Sequence, residues 1–236
     1  RMVLSYNAGV IGYQVLANAL LLFERGWITN RLGTENLTYY VIPMSLGMQL
    51  HAFTSSLVQV VFPLASELSN DKERLLDLYL EATKIIAIIV VFAVSIVGAT
   101  APQFLTLWVG AEIASQSATL LQIHMTAFGI AAILSVAWQM TEGMGRTMVN
   151  FAIFAVCLVV SISLMLVFTS GYGNLGVAVA RFAGLAAIAF SIPIVEKMFF
   201  GKVQTAFWLR SIFGLGVAAV ATIAVGHLTV TSLPLS

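Results

Sequence analysis

Asn7, Gln14, Asn18 and Arg25 follow one another at intervals of 7, 4 and 7 residues in an otherwise apolar run. At 3.6 residues per turn they fall within roughly 40° of one another, in one stripe along nearly five turns of helix. Three amides and a guanidinium can exchange hydrogen bonds with hydroxyls and hold an anion, so the stripe reads as one wall of a hydrated cavity. Two other segments repeat the pattern. Thr38, Ser45, Gln49 and Ser56 share one face, and Ser117, His124, Ser135 and Glu142 share another. For these two, hydrogen bonding between helices is as good a reading as a cavity wall.

The neighbouring charges divide by helical phase. Arg25 continues the amide stripe, whereas Glu24 lies about 100° away from it, as a partner of Arg25 or as a residue of the membrane interface. Arg181 sits six residues into a later apolar run. It has two readings there, snorkelling to the outer interface or contacting an anion inside a lumen. The residues expected along a substrate path are therefore Asn7, Gln14, Asn18, Arg25, Gln49 and Arg181. Glu24, His124 and Glu142 are the candidates for coupling to an ion or proton.

Enzyme chemistry has no comparable set. Cys157 has no histidine near it in any short motif, and His51, His124 and His227 lie on separate segments without metal-ligand spacing. The turn Gly143-Met144-Gly145-Arg146-Thr147 lacks the frame of a phosphate loop. No metal, no cofactor and no catalytic residue is expected.

These side chains must be carried by membrane helices. The chain of 236 residues is 60% hydrophobic and 9% charged, against roughly 25% charged in soluble domains. Its mean hydropathy is +0.99. With 11 basic and 10 acidic residues there is no basic field for nucleic acid. The apolar runs are too long, and too little alternating, for barrel strands. An all-α, polytopic bundle of about seven transmembrane helices is predicted, at about 3–23 (extendable to 31), 37–66, 85–108, 117–139, 147–169, 175–195 and 208–226. Residues 69–84 alternate leucines with charges and are expected to form an amphipathic helix on the membrane surface, capped by Ser69 or Asn70. Pro43, Pro63, Pro102 and Pro193 fall within or near spans, and Pro43, close to Gly47, marks a bendable point.

Lys72, Arg74, Lys84, Arg146, Lys197, Lys202 and Arg210 follow the even-numbered spans, which assigns those connections and the N-terminus to the cytoplasm. Helical pattern begins at once from Arg1, and the chain is expected to be a piece of a longer polytopic protein.

Four islands add a resemblance. The first runs from Ile28 to Asp71 and holds Leu32-Gly33, Tyr39-Tyr40 and Phe62-Pro63-Leu64-Ala65-Ser66-Glu67-Leu68. The second holds Leu107, Trp108 and Gly110; the third is the turn 143–147; the fourth is Gly173-Asn174-Leu175-Gly176 and the small residues after it. In this order the islands resemble the multidrug/oligosaccharidyl-lipid/polysaccharide exporter superfamily, and within it the repeat-unit and O-antigen flippase branch. The resemblance implies two six-helix lobes facing a central cavity, with residues 1–200 as the second lobe and 201–236 as an additional helix and tail. It implies movement of an undecaprenyl-diphosphate-linked oligosaccharide across the cytoplasmic (inner) membrane by alternating access. It also implies membrane lipid, a polysaccharide polymerase and other assembly proteins as partners. In that family the first helix of the second lobe carries an acidic-basic pair, here Glu24-Arg25, with Glu where Asp is usual. The alternatives are a multidrug/cation antiporter of the same superfamily, which would favour a lone carboxylate deep in the membrane, and a membrane-embedded enzyme of glycan assembly.

Overall fold

In a computed structural model the described residues are 2–211 with 214, 216 and 217. The expected span 208–226 and His227 lie for the most part outside them. The described residues are helical and contain no strand. α1 covers Met2–Leu32, α2 Thr34–Val58, α3 Val61–Glu67, α4 Lys72–Val109, α5 Ala111–Gly143, α6 Thr147–Ala187 and α7 Ser191–Phe200.

Three of the reversals turn on glycines at positive φ, where a side chain would strain the backbone: Gly33 (93°), Gly110 (91°) and Gly173 (54°). Gly173 folds α6 into a hairpin. Beyond it Gly176 lies against the Phe168 carbonyl, and Gly184 against Ser161 and the Cys157 carbonyl, so closely that a Cβ at Gly184 would meet the Ser161 hydroxyl. The expected spans 147–169 and 175–195 are the two arms of this hairpin. The second arm is continued by a 3-10 turn at Ile188–Phe190 and by α7.

Among the described residues four helical stretches are long and apolar enough to cross a membrane: Leu4–Leu32, Lys72–Val109, Ala111–Gly143 and Thr147–Phe200. The last has 54 residues, about 80 Å at 1.5 Å per residue, against a hydrocarbon core of about 30 Å. Large apolar side chains cover the outside, among them Leu22, Phe53, Phe92, Leu107, Val159 and Val167. That surface suits lipid and is far too apolar for water. The chain is a multi-pass membrane protein.

Neighbours follow from a few contacts. α1 runs beside the first arm of α6 in the same direction: Thr147 Oγ1 donates to the Tyr6 carbonyl at 2.9 Å and Trp27 Nε1 to Thr169 Oγ1 at 2.9 Å. α2 and α3 run beside α5, also in the same direction, from Tyr39 of α2 against Ser117 to Phe62 of α3 against Gly143. α4 packs antiparallel on α5, with Gly129 against Val90 and Val94.

Two hydrogen bonds from α5 repair prolines. Pro43 has no N–H for the Tyr39 carbonyl one turn earlier, and Pro102 none for Gly98. In hydrocarbon an unpaired carbonyl is costly. Ser117 Oγ donates to the Tyr39 carbonyl and Gln122 Nε2 to the Gly98 carbonyl, each at 2.8 Å, and both donors come from α5. α2 and α4 therefore continue through their prolines. Ser117→Ala and Gln122→Ala are each expected to cost about 1 kcal/mol in unfolding free energy. Pro43→Ala, which restores the backbone donor, should lessen the cost of Ser117→Ala in a double-mutant cycle.

Three sequence expectations need correction. The span 37–66 is interrupted at Gln59–Val60, four residues ahead of Pro63, which cannot bond back to that turn. The segment 69–84 is not a separate helix: residues 72–84 are the first turns of α4, continuous with the third span, and bury Leu75 and Tyr79 among Ile86, Val195 and Phe199. Its cap is Asp71, which accepts the Arg74 backbone N–H at 3.2 Å, and not Ser69 or Asn70.

The two ends of the bundle differ in how many charges they carry. The glycine turns at 33, 110 and 173 have Arg31, Glu35 and Glu112 beside them. The opposite end gathers Lys72, Arg74, Arg146, Lys197 and Lys202 together with Glu67, Asp71, Glu73 and Asp77.

Candidate functional site

Four helices bring polar side chains together between these ends. Arg181 Nη1 donates to Glu24 Oε2 at 2.6 Å, with Glu24 fully buried and Arg181 only 7% exposed. The Tyr40 hydroxyl donates to the other carboxylate oxygen, Glu24 Oε1. His124 meets Tyr40 edge-on, with ring centroids 4.7 Å apart. The Arg181 guanidinium lies 5.4 Å from the centroid of the Phe128 ring.

The glycine turns explain the meeting. Glu24 lies nine residues before Gly33, Tyr40 seven after it, and Arg181 eight after Gly173. At 1.5 Å per residue all three stand about 10–14 Å below the same end. Insertion scales charge an unpaired arginine about 2.5–3.5 kcal/mol at a helix centre, so a carboxylate at hydrogen-bonding distance is the way to bury one. The remaining capacity is uneven. Arg181 Nε and both ring nitrogens of His124 have no partner among the described residues.

The expected site residues separate into two groups. Asn7, Gln14, Asn18 and Arg25 all lie exposed on the same side of α1, and the Asn18 amide donates only to the Gln14 carbonyl of its own helix, at 2.9 Å. Gln49 is exposed on α2. Arg181, Glu24 and His124 are in the interior instead. Arg181 neither snorkels nor stands free, and the partner of Glu24 is Arg181, 157 residues away, not the adjacent Arg25. Glu142 is half-buried near the charge-rich end and accepts from Trp138 Nε1 at 2.9 Å, with Tyr13 against the Trp138 ring.

The α5 stripe divides along its length. Ser117 and His124 are packed under α2, while Ser135 and Glu142 are only half-buried. Tyr40 was missed as a site residue, although its distance from the Gly33 turn matches that of Glu24. A second buried carboxylate, Glu196, was also missed, because a lone Glu beside Lys197 in a short connection reads as solvated. Among the described residues no group of histidine, cysteine and carboxylate side chains could hold a metal ion.

Fold and site together define a polytopic helical membrane protein with an ion pair locked inside its bundle and a stripe of amides ending in arginine on its outer face. Residues 2–118 match the family model described as "Polysaccharide biosynthesis protein". A Shigella flexneri protein described as "Putative O-antigen transporter" is 20% identical over 182 residues, which are 77% of this chain and 41% of that protein. These matches support a place for the chain in the polysaccharide and O-antigen flippase family. It spans less than half the length of the relative it matches. No solved structure matches it.

Proposed function

We propose that the chain is one lobe of an exporter that flips an undecaprenyl-diphosphate-linked oligosaccharide across the cytoplasmic membrane by alternating access. One observation carries the reading: Asn7, Gln14, Asn18 and Arg25 are exposed along α1 and make no bond to any other described helix. Polar side chains at membrane depth face protein or a water-filled cavity, since facing lipid is costly. A second lobe across a hydrated cleft supplies that setting. Amides suit sugar hydroxyls, and Arg25 suits a diphosphate.

Residues 1–200 would form the second lobe and 201–236 an additional helix and tail, with the end that gathers the lysines and arginines in the cytoplasm. The Glu24–Arg181–Tyr40 cluster ties α1, α2 and α6 into a body that can rock as a unit. Polysaccharide polymerase and other assembly proteins would receive the flipped product.

Cysteine accessibility tests the cavity. Single cysteines at 7, 14, 18 and 25 of the full-length membrane protein should react with a charged, membrane-impermeant thiol reagent. Cysteines at Val159 and Val167, which are exposed among apolar neighbours, should not. The native Cys157 is buried and contributes little background. Unreactive positions along the stripe would place it against lipid and end this reading.

A further inference from the structure

At the charge-rich end an open groove of about 460 Å³ lies between α4 and the helical segment that starts at Thr205. Lys84, Ala87 and Ile88 line it from α4, and Ala206, Phe207 and Arg210 from the other side. Each wall supplies one cation, and no carboxylate is among its described lining residues.

The wall beyond α4 is held in place by a buried side chain. Glu196 is fully buried and accepts three hydrogen bonds: from Trp208 Nε1 at 2.7 Å, from the Gln204 backbone N–H at 2.7 Å and from the Tyr79 hydroxyl at 3.1 Å. Tyr79 lies five residues before Lys84 on α4, and Trp208 two residues before Arg210. The carboxylate thus fixes the two cations on facing walls.

The order of chemistry along α4 indicates the occupant. Lys84 stands where the charged turns end, and from it Ile85, Ile88 and Phe92 form an exposed apolar track into the membrane. A cationic site followed by an apolar wall matches a phospholipid, whose phosphate and acyl chain come in that sequence. A free anion would gain nothing from the wall.

We propose that this groove binds an anionic phospholipid, with its phosphate between Lys84 and Arg210 and an acyl chain along Ile88, Ala206 and Phe207. The site is separate from the amide stripe and does not depend on what the exporter carries. Two cations at a membrane surface correspond to a preference of about tenfold or more for an anionic over a neutral headgroup.

Electron spin resonance on the full-length protein in nanodiscs tests it, with spin-labelled phosphatidylglycerol compared with spin-labelled phosphatidylcholine. A motionally restricted population should favour phosphatidylglycerol about tenfold. The Lys84→Gln/Arg210→Gln variant should lose that preference, while Lys72→Gln/Arg146→Gln, at the same end but outside the groove, should keep it. Ala206→Trp fills the groove without removing charge and should also displace the lipid. That variant carries the test if the double charge variant fails to fold. Preference retained in Ala206→Trp, equal loss in both double variants, or displacement by excess inorganic phosphate would each overturn the proposal.

Discussion

Arg181→Met is expected to lower the unfolding free energy of the protein in detergent by about 3–5 kcal/mol, the usual cost of leaving one member of a buried ion pair without its partner. The size follows from burial. Glu24 has no exposed surface, and its oxygens are shared between Arg181 Nη1 and the Tyr40 hydroxyl. With the guanidinium gone, the carboxylate keeps one neutral donor in an apolar surround that includes Phe128 and His124. Glu24→Leu alone should cost a similar amount, because it strands Arg181. The double variant Glu24→Leu/Arg181→Met should recover most of the loss, since replacing a buried pair by apolar side chains of similar volume is often close to neutral. A double-mutant cycle read by urea unfolding measures the coupling. Arg25→Met is the control, as Arg25 is exposed and should cost well under 1 kcal/mol. If Arg181→Met costs no more than Arg25→Met, the pair does not hold the bundle together.

Arg25→Ala carries the opposite expectation: near-normal stability and membrane abundance, with surface glycan export lost or reduced at least tenfold. It makes no ion pair among the described residues and ends the exposed amide stripe. A diphosphate desolvated against that stripe needs a cation, and the contact is worth about 1.5–3 kcal/mol as a charge-assisted hydrogen bond. Arg25→Lys should retain part of the activity, because it keeps the charge and loses the planar fork. Surface glycan, measured by immunoblotting in a strain whose own copy is deleted, reads the result. Normal glycan with Arg25→Ala would remove Arg25 from the proposed path. If both expectations hold, the two arginines are told apart by different measurements, Arg181 by stability and Arg25 by transport.

Much of the architecture was legible in local pattern. The first six expected spans fall on α1, α2 with α3, α4, α5 and the two arms of α6 with α7, and apolar length, a property of contiguous sequence, marks all of them but α2, which is not among the stretches apolar enough to cross a membrane. Phase along α1 was equally local. Asn7, Gln14, Asn18 and Arg25 had to share a side, and they do. The boundary at 84 was misplaced for the same kind of reason. The leucines of residues 75–80 show that one face is buried, but not whether it is buried by lipid headgroups or by Val195 and Phe199, more than a hundred residues on.

Pairing between helices is what the chain by itself left open. Helical periodicity determines the angle of a side chain about its own axis and says nothing about which helix stands opposite. Glu24 could therefore be assigned to Arg25 or to the interface, and Ser117 to any polar neighbour. Only the packed bundle set Arg181 against Glu24, Ser117 against the carbonyl freed by Pro43, and Glu196 under Trp208. In an apolar interior each of these groups must find its partner across a helix boundary. The amino-acid sequence alone settled that this is a helical membrane protein with an amide stripe ending in Arg25. The tertiary structure decided which charges are buried as structure and which are left exposed.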